Sequence, residues 1–291
     1  MRAAAFSEFG GPEVLRVMEV PTPQAGPGQV RVRVKAAGVQ PYDTAVRAGW
    51  TPPGVTGGLP RIPGNEFAGI TDDGVEVLGF SQLNAYAEYI VVNETDVTPK
   101  PAGLPWEVAG GLTAGVQTAE LALDGLAVGE GDTLLIHGAA GNVGTAAIQI
   151  ARLRGATVIG TGRDHEYLRS LGAIPVSYGE GLADRVRELA PGGVDAALDG
   201  AGGDALDVSL ALVKDRDRIL TLVEHGRAAD LGIRVTQGVR TAERLGRYAA
   251  LIAEGSFHFT VRSTYPLERA ADAHREMEAG HGNGKIVITV A

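Results

Sequence analysis

The first hundred residues carry the alternating pattern of half-buried β-strands. Residues 30–35 alternate valine with charged side chains, and residues 85–92 begin in the same way. Closely spaced prolines and glycines between these runs favour short strands and irregular loops. The pattern therefore predicts a mainly-β region at the start of the chain.

From about Trp106 onward, short apolar runs alternate with helical patterns. Residues 133–137 form an apolar run, and residues 142–154 place their apolar side chains on one side of a helix. Further strands are predicted at 157–161, 175–177, 194–198, 218–222 and 232–236. Strands that alternate with helices are typical of βαβ units in a parallel sheet.

The end of the chain returns to the earlier pattern. A strand, a helix and a second strand are predicted at 261–267, 268–279 and 285–290. A βαβ block that is flanked by pieces of another kind indicates an inserted domain. We predict one domain formed by residues 1–112 and 258–291, and a second domain, inserted into it, formed by residues 113–257.

Composition narrows the functional classes. The 291 residues carry a net charge of −9, which disfavours a nucleic-acid surface because phosphate binding needs a basic patch. Cysteine is absent, so disulfides, thiolate metal ligands and a cysteine nucleophile are excluded. The sequence has neither a long apolar run nor a signal-peptide pattern, so we expect a cytoplasmic protein without a membrane span.

The strongest chemical signal is the turn that follows the strand at 133–137 and opens the helix at 142. Its residues, all expected to contact a dinucleotide, are Gly138, Ala139, Ala140, Gly141, Asn142, Val143 and Gly144. A glycine-rich turn in this context lets backbone approach a diphosphate, which the N–H groups of the helix N-terminus then bind. The alternative is an ordinary tight turn in a chain that has 42 glycines.

The next strand bears on the choice between NAD and NADP. NAD sites place a carboxylate at its end to hold the ribose 2′-hydroxyl, whereas here Gly162 and Arg163 follow the strand. An arginine can form bidentate hydrogen bonds to a 2′-phosphate, so we expect NADPH as the cofactor. The alternative is a solvated arginine beside Asp164.

Several ordered motifs resemble the medium-chain dehydrogenase/reductase superfamily, in its zinc-independent quinone oxidoreductase branch. They lie at residues 9–15, 32–44, 63–69, 138–144, 193–199 and 284–287. The resemblance implies a doubly wound Rossmann sheet inserted in a GroES-like, mainly-β domain. It also implies hydride transfer from NADPH to a quinone or an α,β-unsaturated carbonyl compound. It adds Asp199, Leu222 and Lys285 as expected cofactor contacts.

The resemblance also bears on metals. Zinc-dependent relatives carry a cysteine ligand where this chain has Gln40 and a histidine ligand where it has Asn65. The six histidines are scattered along the sequence at 137, 165, 225, 258, 274 and 281. We therefore expect no metal. Quinones and enones suit this expectation, because they accept hydride by delocalising charge onto oxygen.

The same segments supply the candidate catalytic residues. Gln40 is expected near the nicotinamide ribose, or else as a loop amide that caps backbone groups. Tyr42 is expected to donate a hydrogen bond to a developing enolate oxygen, or else to be a packing residue. Asp43 is expected to cap a helix that begins at Thr44. Asn65 is expected to line the vacated metal position. Thr113 resembles a residue near the nicotinamide, or else caps a helix.

Two departures from the branch leave the proton donor unidentified. Ala45 and Thr51 occupy positions where related enzymes often carry tyrosine, so solvent is the expected proton source. Residues 69–80 look trimmed, which suggests room for a larger substrate.

The alternative functions are an enoyl reductase acting on a thioester or natural-product intermediate, and a non-catalytic NADPH-binding module. A homodimer is expected to form through the strand at 231–235, which would otherwise be an exposed sheet edge.

Overall fold

The computed structural model describes residues 1–280 and 282–291. His281, one of the six histidines considered above, lies outside the described residues. The chain divides into two compact units: the first comprises Met1–Ala114 and Arg240–Ala291, and the second comprises Gly115–Val239. The strands are β1 (Arg2–Ala5), β2 (Arg16–Glu19), β3 (Gln29–Val39), β4 (Glu66–Thr71), β5 (Glu76–Phe80), β6 (Tyr89–Asn93), β7 (Val97–Pro99), β8 (Thr133–His137), β9 (Thr157–Thr161), β10 (Ile174–Val176), β11 (Ala196–Asp199), β12 (Ile219–Thr221), β13 (Arg234–Val235), β14 (Val261–Pro266) and β15 (Lys285–Thr289). The helices are α1 (Pro41–Arg47), α2 (Trp106–Gly125), α3 (Asn142–Leu153), α4 (His165–Ser170), α5 (Leu182–Leu189), α6 (Asp204–Leu212), α7 (His225–Leu231), α8 (Ala242–Ala253) and α9 (Ala270–Ala279).

A twisted, mostly antiparallel sheet forms the first unit. Its strand order is β14-β15-β3-β4-β5-β7, and β6 pairs with the first half of β3. Strand β3 is long because its alternating residues bury Val32 and Val34 on one face while Arg33 stays exposed. The main apolar core includes Phe67 and Tyr86, both fully buried. This is the GroES-like architecture that the motifs implied.

A parallel sheet forms the second unit, in the order β10-β9-β8-β11-β12-β13. Its central strands read as apolar runs because helices cover both faces of such sheets, and residues 134–136 are fully buried. Helix α3 turns an apolar face with Ala147 and Ala151 toward the protein interior. The sheet confirms the Rossmann-type fold.

Most predicted elements are present, with shorter ends. The predicted strand at 85–92 begins only at Tyr89, because Asn84 has a left-handed backbone (φ 79°) and Ala87 instead bridges to Ala3. The predicted helix at 268–279 begins at Ala270, after one turn of 3₁₀-helix. The predicted strand at 232–236 is reduced to β13, because Gly232 is used as the left-handed C-cap of α7.

The unit boundaries differ from the predicted domain boundaries. The first falls inside α2, after Ala114 rather than after residue 112, and the second at Arg240 rather than at residue 258. Helix α8 is therefore grouped with the first unit, where Gly246 packs so closely on β7 that an added Cβ would lie 2.8 Å from Thr98 Oγ1. Among the helices that the structure describes, none is both long and apolar enough to traverse a bilayer.

A glycine in α2 makes a close packing contact that can be tested by mutation. A Cβ at Gly110 would lie 2.6 Å from both Cβ and the carbonyl oxygen of Ala36 in β3. We expect Gly110→Ala to lower the free energy of unfolding in urea by about 1–3 kcal/mol. One of the two contacted atoms belongs to the main chain of β3, which cannot move aside as a flexible side chain can. Gly125→Ala is the matched control in the same helix, since its Cβ would meet Leu220 Cδ1 at an ordinary 3.5 Å. Equal stabilities for the two variants would contradict the contact.

Candidate functional site

The turn between β8 and α3 is shaped by two glycines. Gly138 has a left-handed backbone (φ 69°), and a Cβ there would lie 2.9 Å from the carbonyl oxygen of Gly200. Gly144 is closer still, since its Cβ would lie 2.5 Å from the carbonyl oxygen of Gly138. Gly138 thus supplies the tight turn that the usual first glycine would supply, while Ala139 is fully buried and packs toward Gly160.

The same turn leaves hydrogen-bond donors at the start of α3. Gly141 N donates to the carbonyl of Gly138 (3.0 Å), and Thr145 N donates to the carbonyl of Gly141 (2.8 Å) as the first donor inside the helix. The amides of residues 142–144 therefore have no intrahelical acceptor. These N–H groups and the positive end of the helix dipole form an anion-binding surface.

Strand β9 holds the turn in place and ends beside it. Thr161 accepts from Gly138 N through its hydroxyl (3.2 Å) and from Ala139 N through its carbonyl (3.2 Å). Gly162 N donates to the carbonyl of Val176 (3.1 Å). Arg163 is exposed and forms neither a hydrogen bond nor an ion pair with the described residues, while the neighbouring Asp164 caps α4 through Tyr167 N (2.9 Å). The guanidinium of Arg163 is available to a ligand.

Asp199 organises the loop after β11. Its carboxylate accepts from Ala201 N (3.0 Å), Gly202 N (2.8 Å) and the Thr221 hydroxyl (2.8 Å). Leu222 N donates to the Asp199 carbonyl (2.8 Å). Both predicted cofactor residues thus lie at the carboxyl ends of β11 and β12, where open α/β sheets bind their ligands. The second unit brings together all of the predicted cofactor residues except Lys285.

His137 closes β8 directly before the turn. Its side chain is 1% exposed, and neither ring nitrogen has a hydrogen-bond partner in the described structure. Burial lowers the pKa of His137 to about 4, and the nearby Asp199 carboxylate only partly opposes that shift. The imidazole is therefore neutral at physiological pH.

In the first unit, the start of α1 is tied to the loop before β4. Asp43 accepts from Gln40 N (3.0 Å) and Gly64 N (2.9 Å) with its two carboxylate oxygens, and Tyr86 donates its hydroxyl to the same carboxylate (3.1 Å). Helix α1 begins at Pro41 rather than at Thr44, so Asp43 is not its N-cap but its residue N3, which completes a capping box with Gln40. Burial raises the pKa of Asp43 to about 7, against the opposing charge of Lys285. Burial also raises the pKa of Tyr86 well above its usual value.

Gln40 and Asn65 form one amide pair. Gln40 Nε2 donates to Asn65 Oδ1, and the carbonyl of Asn65 accepts from Ser81 N (3.1 Å). Asn65 is 3% exposed, whereas Gln40 is only partly buried. The side chain of Gln40 therefore bonds to the side chain of Asn65, and Gln40 is also the N-cap residue of α1.

Glu66, the residue after Asn65 in the sequence, forms a buried ion pair with Lys285. Lys285 Nζ lies 2.5 Å from Glu66 Oε1, and Glu66 Oε2 accepts from Ala114 N (2.6 Å). Both side chains are almost completely buried, and a Cβ on Gly38 would lie within 2.6 Å of Lys285 Cε. The structure thus gives Lys285 a partner in the first unit, while its expected cofactor contact stays a prediction.

Tyr42 and Thr113 occupy different surroundings. Tyr42 packs edge-on against Trp50, with ring centroids 5.2 Å apart, and its ring borders the apolar core. Burial raises the pKa of Tyr42 to about 12, helped by the Asp43 carboxylate and opposed by Arg240. Thr113 lies inside α2, fully buried, and donates to the carbonyl of Gly79 (3.3 Å). The helix-capping interpretation of Thr113 is therefore wrong, because residue 113 lies seven residues after the start of α2.

Sequence reasoning missed two charged residues of this cluster. Glu66 lies in the motif at residues 63–69, and the only sequence signal of its burial is a charge inside an apolar strand pattern. The only sequence signal of Arg240 is that it is the first charged residue after the uncharged segment 235–239. Its Nη1 donates to the carbonyl of Asn65 (3.3 Å), across 175 residues of chain.

The chain matches known oxidoreductases over almost its full length. Residues 26–82 match the Alcohol dehydrogenase GroES-like domain family, and residues 171–288 match the Zinc-binding dehydrogenase family. A quinone oxidoreductase of Pseudomonas aeruginosa is 33% identical over 97% of this chain and 98% of its own length. A 2-haloacrylate reductase of Burkholderia is 32% identical over 98% of both chains.

A solved structure extends the likeness. A mycobacterial protein crystallised as a complex with NADPH is 31% identical, with a TM-score of 0.84 over 99% of both chains. The aligned length of 325 positions for the Pseudomonas protein exceeds the 291 residues here, so this chain lacks segments that the relative carries.

The donor set does not fit the zinc that one family description names. Zinc takes thiolate, imidazole or carboxylate ligands, whereas Gln40 and Asn65 are amides bonded to one another. Within residues 1–280 and 282–291, no group of three or more histidine or acidic side chains could hold a metal ion.

The buried state of His137 predicts a pH dependence of stability. Its folded pKa of about 4 lies below the ordinary 6.5, so the unfolded chain binds the extra proton as the pH falls from 6.5 to 4. This residue's contribution is complete above pH 6.5 and is lost on acidification. We expect His137→Leu to reduce the acid-induced loss of unfolding free energy across this range by about 3 kcal/mol, as measured by urea titrations. His225→Leu, at an exposed position in α7, is the control. Identical slopes for the wild type and His137→Leu would contradict this assignment.

Proposed function

Because the chain belongs to the medium-chain dehydrogenase/reductase superfamily, in its quinone oxidoreductase-like branch, and is an oxidoreductase, we propose that it transfers hydride from NADPH to a conjugated carbonyl compound without zinc. The observation that carries this proposal is the β8–α3 turn. A Cβ at Gly144 would collide with the turn, and the first amides of α3 are left without acceptors. That combination is a cradle for a diphosphate.

The second unit holds the residues that fit NADPH. The amides of residues 142–144 would bind its diphosphate, and Arg163 would bind its 2′-phosphate through charge-assisted hydrogen bonds. Gly162, Asp199 and Leu222 shape the two neighbouring loops. When bound, NADPH supplies the hydride, and the protein's contribution is to bind and orient.

The first unit supports a conjugated substrate. Gln40 and Asn65 offer amide dipoles in place of metal ligands, so the activation that zinc gives to a simple ketone is missing. In a quinone or enone, the incoming electron pair delocalises onto oxygen, and polar side chains can stabilise that charge. Tyr42 is the predicted donor to this oxygen, and solvent supplies the final proton.

A second candidate function is reduction of a carbon–carbon double bond conjugated to a carboxylate or thioester. The Burkholderia relative favours it, since its name states that it reduces a haloacrylate.

We also propose a homodimer. Strand β13 (Arg234–Val235), which is shorter than the predicted 231–235, is the edge of its sheet, and an edge strand is where a second copy could pair.

A substrate screen tests the function directly. We expect the purified chain to oxidise NADPH, followed at 340 nm, with a quinone or enone and more slowly with simple ketones. Gly144→Ala should abolish this activity and weaken NADPH binding at least tenfold, because its Cβ displaces the turn. Gly129→Ala is the matched control, since its Cβ meets nothing within 4 Å. Turnover with acrylates or enoyl thioesters alone would favour the second function, and NADPH binding without any turnover would indicate a non-catalytic module.

Cofactor preference is tested at Arg163. We expect NADPH to bind much more tightly than NADH, and Arg163→Ala to weaken NADPH about tenfold or more while leaving NADH unchanged, because only NADPH carries the 2′-phosphate. Dissociation constants from calorimetry give the comparison. Arg187→Ala, at an exposed arginine on α5, is the control. Equal wild-type affinities for both cofactors would refute the preference.

A further inference from the structure

Arg240 is a partly buried guanidinium with unused hydrogen-bonding capacity. It directly precedes α8, and its Nη1 donates to the carbonyl of Asn65 at 3.3 Å. Arginine has five N–H donors, and this is its one hydrogen bond with the described residues. None of the described carboxylates lies within ion-pair distance of it, unlike Lys285, which is paired with Glu66.

Arg240 lies among residues that are predicted to be catalytic. Asn65, whose carbonyl it contacts, is the amide partner of Gln40. The positive charge of Arg240 lowers the pKa of Tyr42 against the effect of burial. Burial lowers the pKa of Arg240 itself, while the charges of Glu66, Tyr42 and Asp43 oppose that change.

The nearby acidic groups are each satisfied by other partners. Glu66 is held by Lys285 and by Ala114 N. Asp43 is held by two backbone amides and by the Tyr86 hydroxyl. Arg240 is thus a cation whose neighbouring carboxylates are already bonded elsewhere, and a partly buried charge in that position favours an anionic ligand.

We propose that Arg240 binds the acceptor oxygen of the substrate and stabilises the negative charge that develops on it during hydride transfer. The assignment rests on the proposed function. It supplies a charged hydrogen-bond donor in a chain that carries Ala45 and Thr51 at the two positions where related enzymes often have tyrosine. A guanidinium aimed at an oxygen that becomes anionic is most effective where water is partly excluded.

The chemistry balances without a further reactant. Hydride forms a new C–H bond at the conjugated carbon of an enone, or adds to a quinone, and the π electrons shift to the carbonyl oxygen. NADPH is oxidised to NADP⁺, the substrate gains two electrons, and Arg240 donates N–H groups to the resulting oxyanion. A proton from solvent then completes the enol or hydroquinone. Arg240 stays protonated throughout, since it acts by charge and hydrogen bonding.

The test compares Arg240→Met and Arg240→Lys with the wild type, using the quinone or enone that turns over best in the screen. We expect Arg240→Met to lower kcat/KM about 100-fold, mainly through kcat, while the dissociation constant of NADPH changes less than twofold. Arg240→Lys keeps the charge and should recover part of the loss. Added guanidinium ion at millimolar concentration should partly restore kcat in Arg240→Ala, whereas sodium at equal ionic strength should not.

Controls separate the possible outcomes. Arg275→Met removes an exposed arginine of the first unit and should leave kcat/KM within twofold of the wild type. If the wild type is active and Arg240→Met keeps at least a third of its kcat/KM, the assignment of Arg240 is overturned while the proposed function stands. If the wild type oxidises no NADPH with any acceptor, both fail together. If the melting curve shows that Arg240→Met misfolds, the other two measurements decide. The assignment is overturned if Arg240→Lys has no activity above that of Arg240→Ala and if guanidinium does not raise kcat in Arg240→Ala.

Discussion

The distance between two pieces of backbone, Gly144 and the carbonyl of Gly138, is the constraint on which the nucleotide site depends. Helix α3 begins so close to the end of β8 that no side chain fits at position 144. This closeness places the first amides of the helix at the carboxyl edge of the sheet, beside the ends of β9 and β11. The backbone itself therefore forms the proposed diphosphate cradle, and Arg163 is the side chain that we propose adds selectivity for NADPH.

The first unit solves a different problem, which is to keep several charges in a mostly apolar domain. Each buried carboxylate there is given specific donors: Asp43 takes two amides and a phenol, and Glu66 takes an ammonium and an amide. Breaking such a pair by removing one partner is costly, because the other charge stays buried. These donors hold both carboxylates in fixed positions.

Local patterns made the second unit predictable. The strands at 133–137 and 157–161 have the predicted bounds, because short apolar runs flanked by glycine and polar turns leave little choice of register. The sharp turn between β8 and α3 was predictable for the same reason, since the residues that shape it lie within nine positions of one another. The contacts of the first unit join residues far apart in sequence. Arg240 contacts Asn65 across 175 residues of chain, and Glu66 contacts Lys285 from opposite halves of the sequence. No local spacing encodes such pairs, and the grouping of α8 with the first unit was hidden for the same reason.

The amide pair of Gln40 and Asn65 sets a limit on redesigning this protein as a metalloenzyme. Exchanging the two side chains for cysteine and histidine would create only two ligands, because Glu66 is already engaged by Lys285 and a main-chain N–H. A tetrahedral zinc centre needs at least a third protein ligand, so these two exchanges alone would not create one.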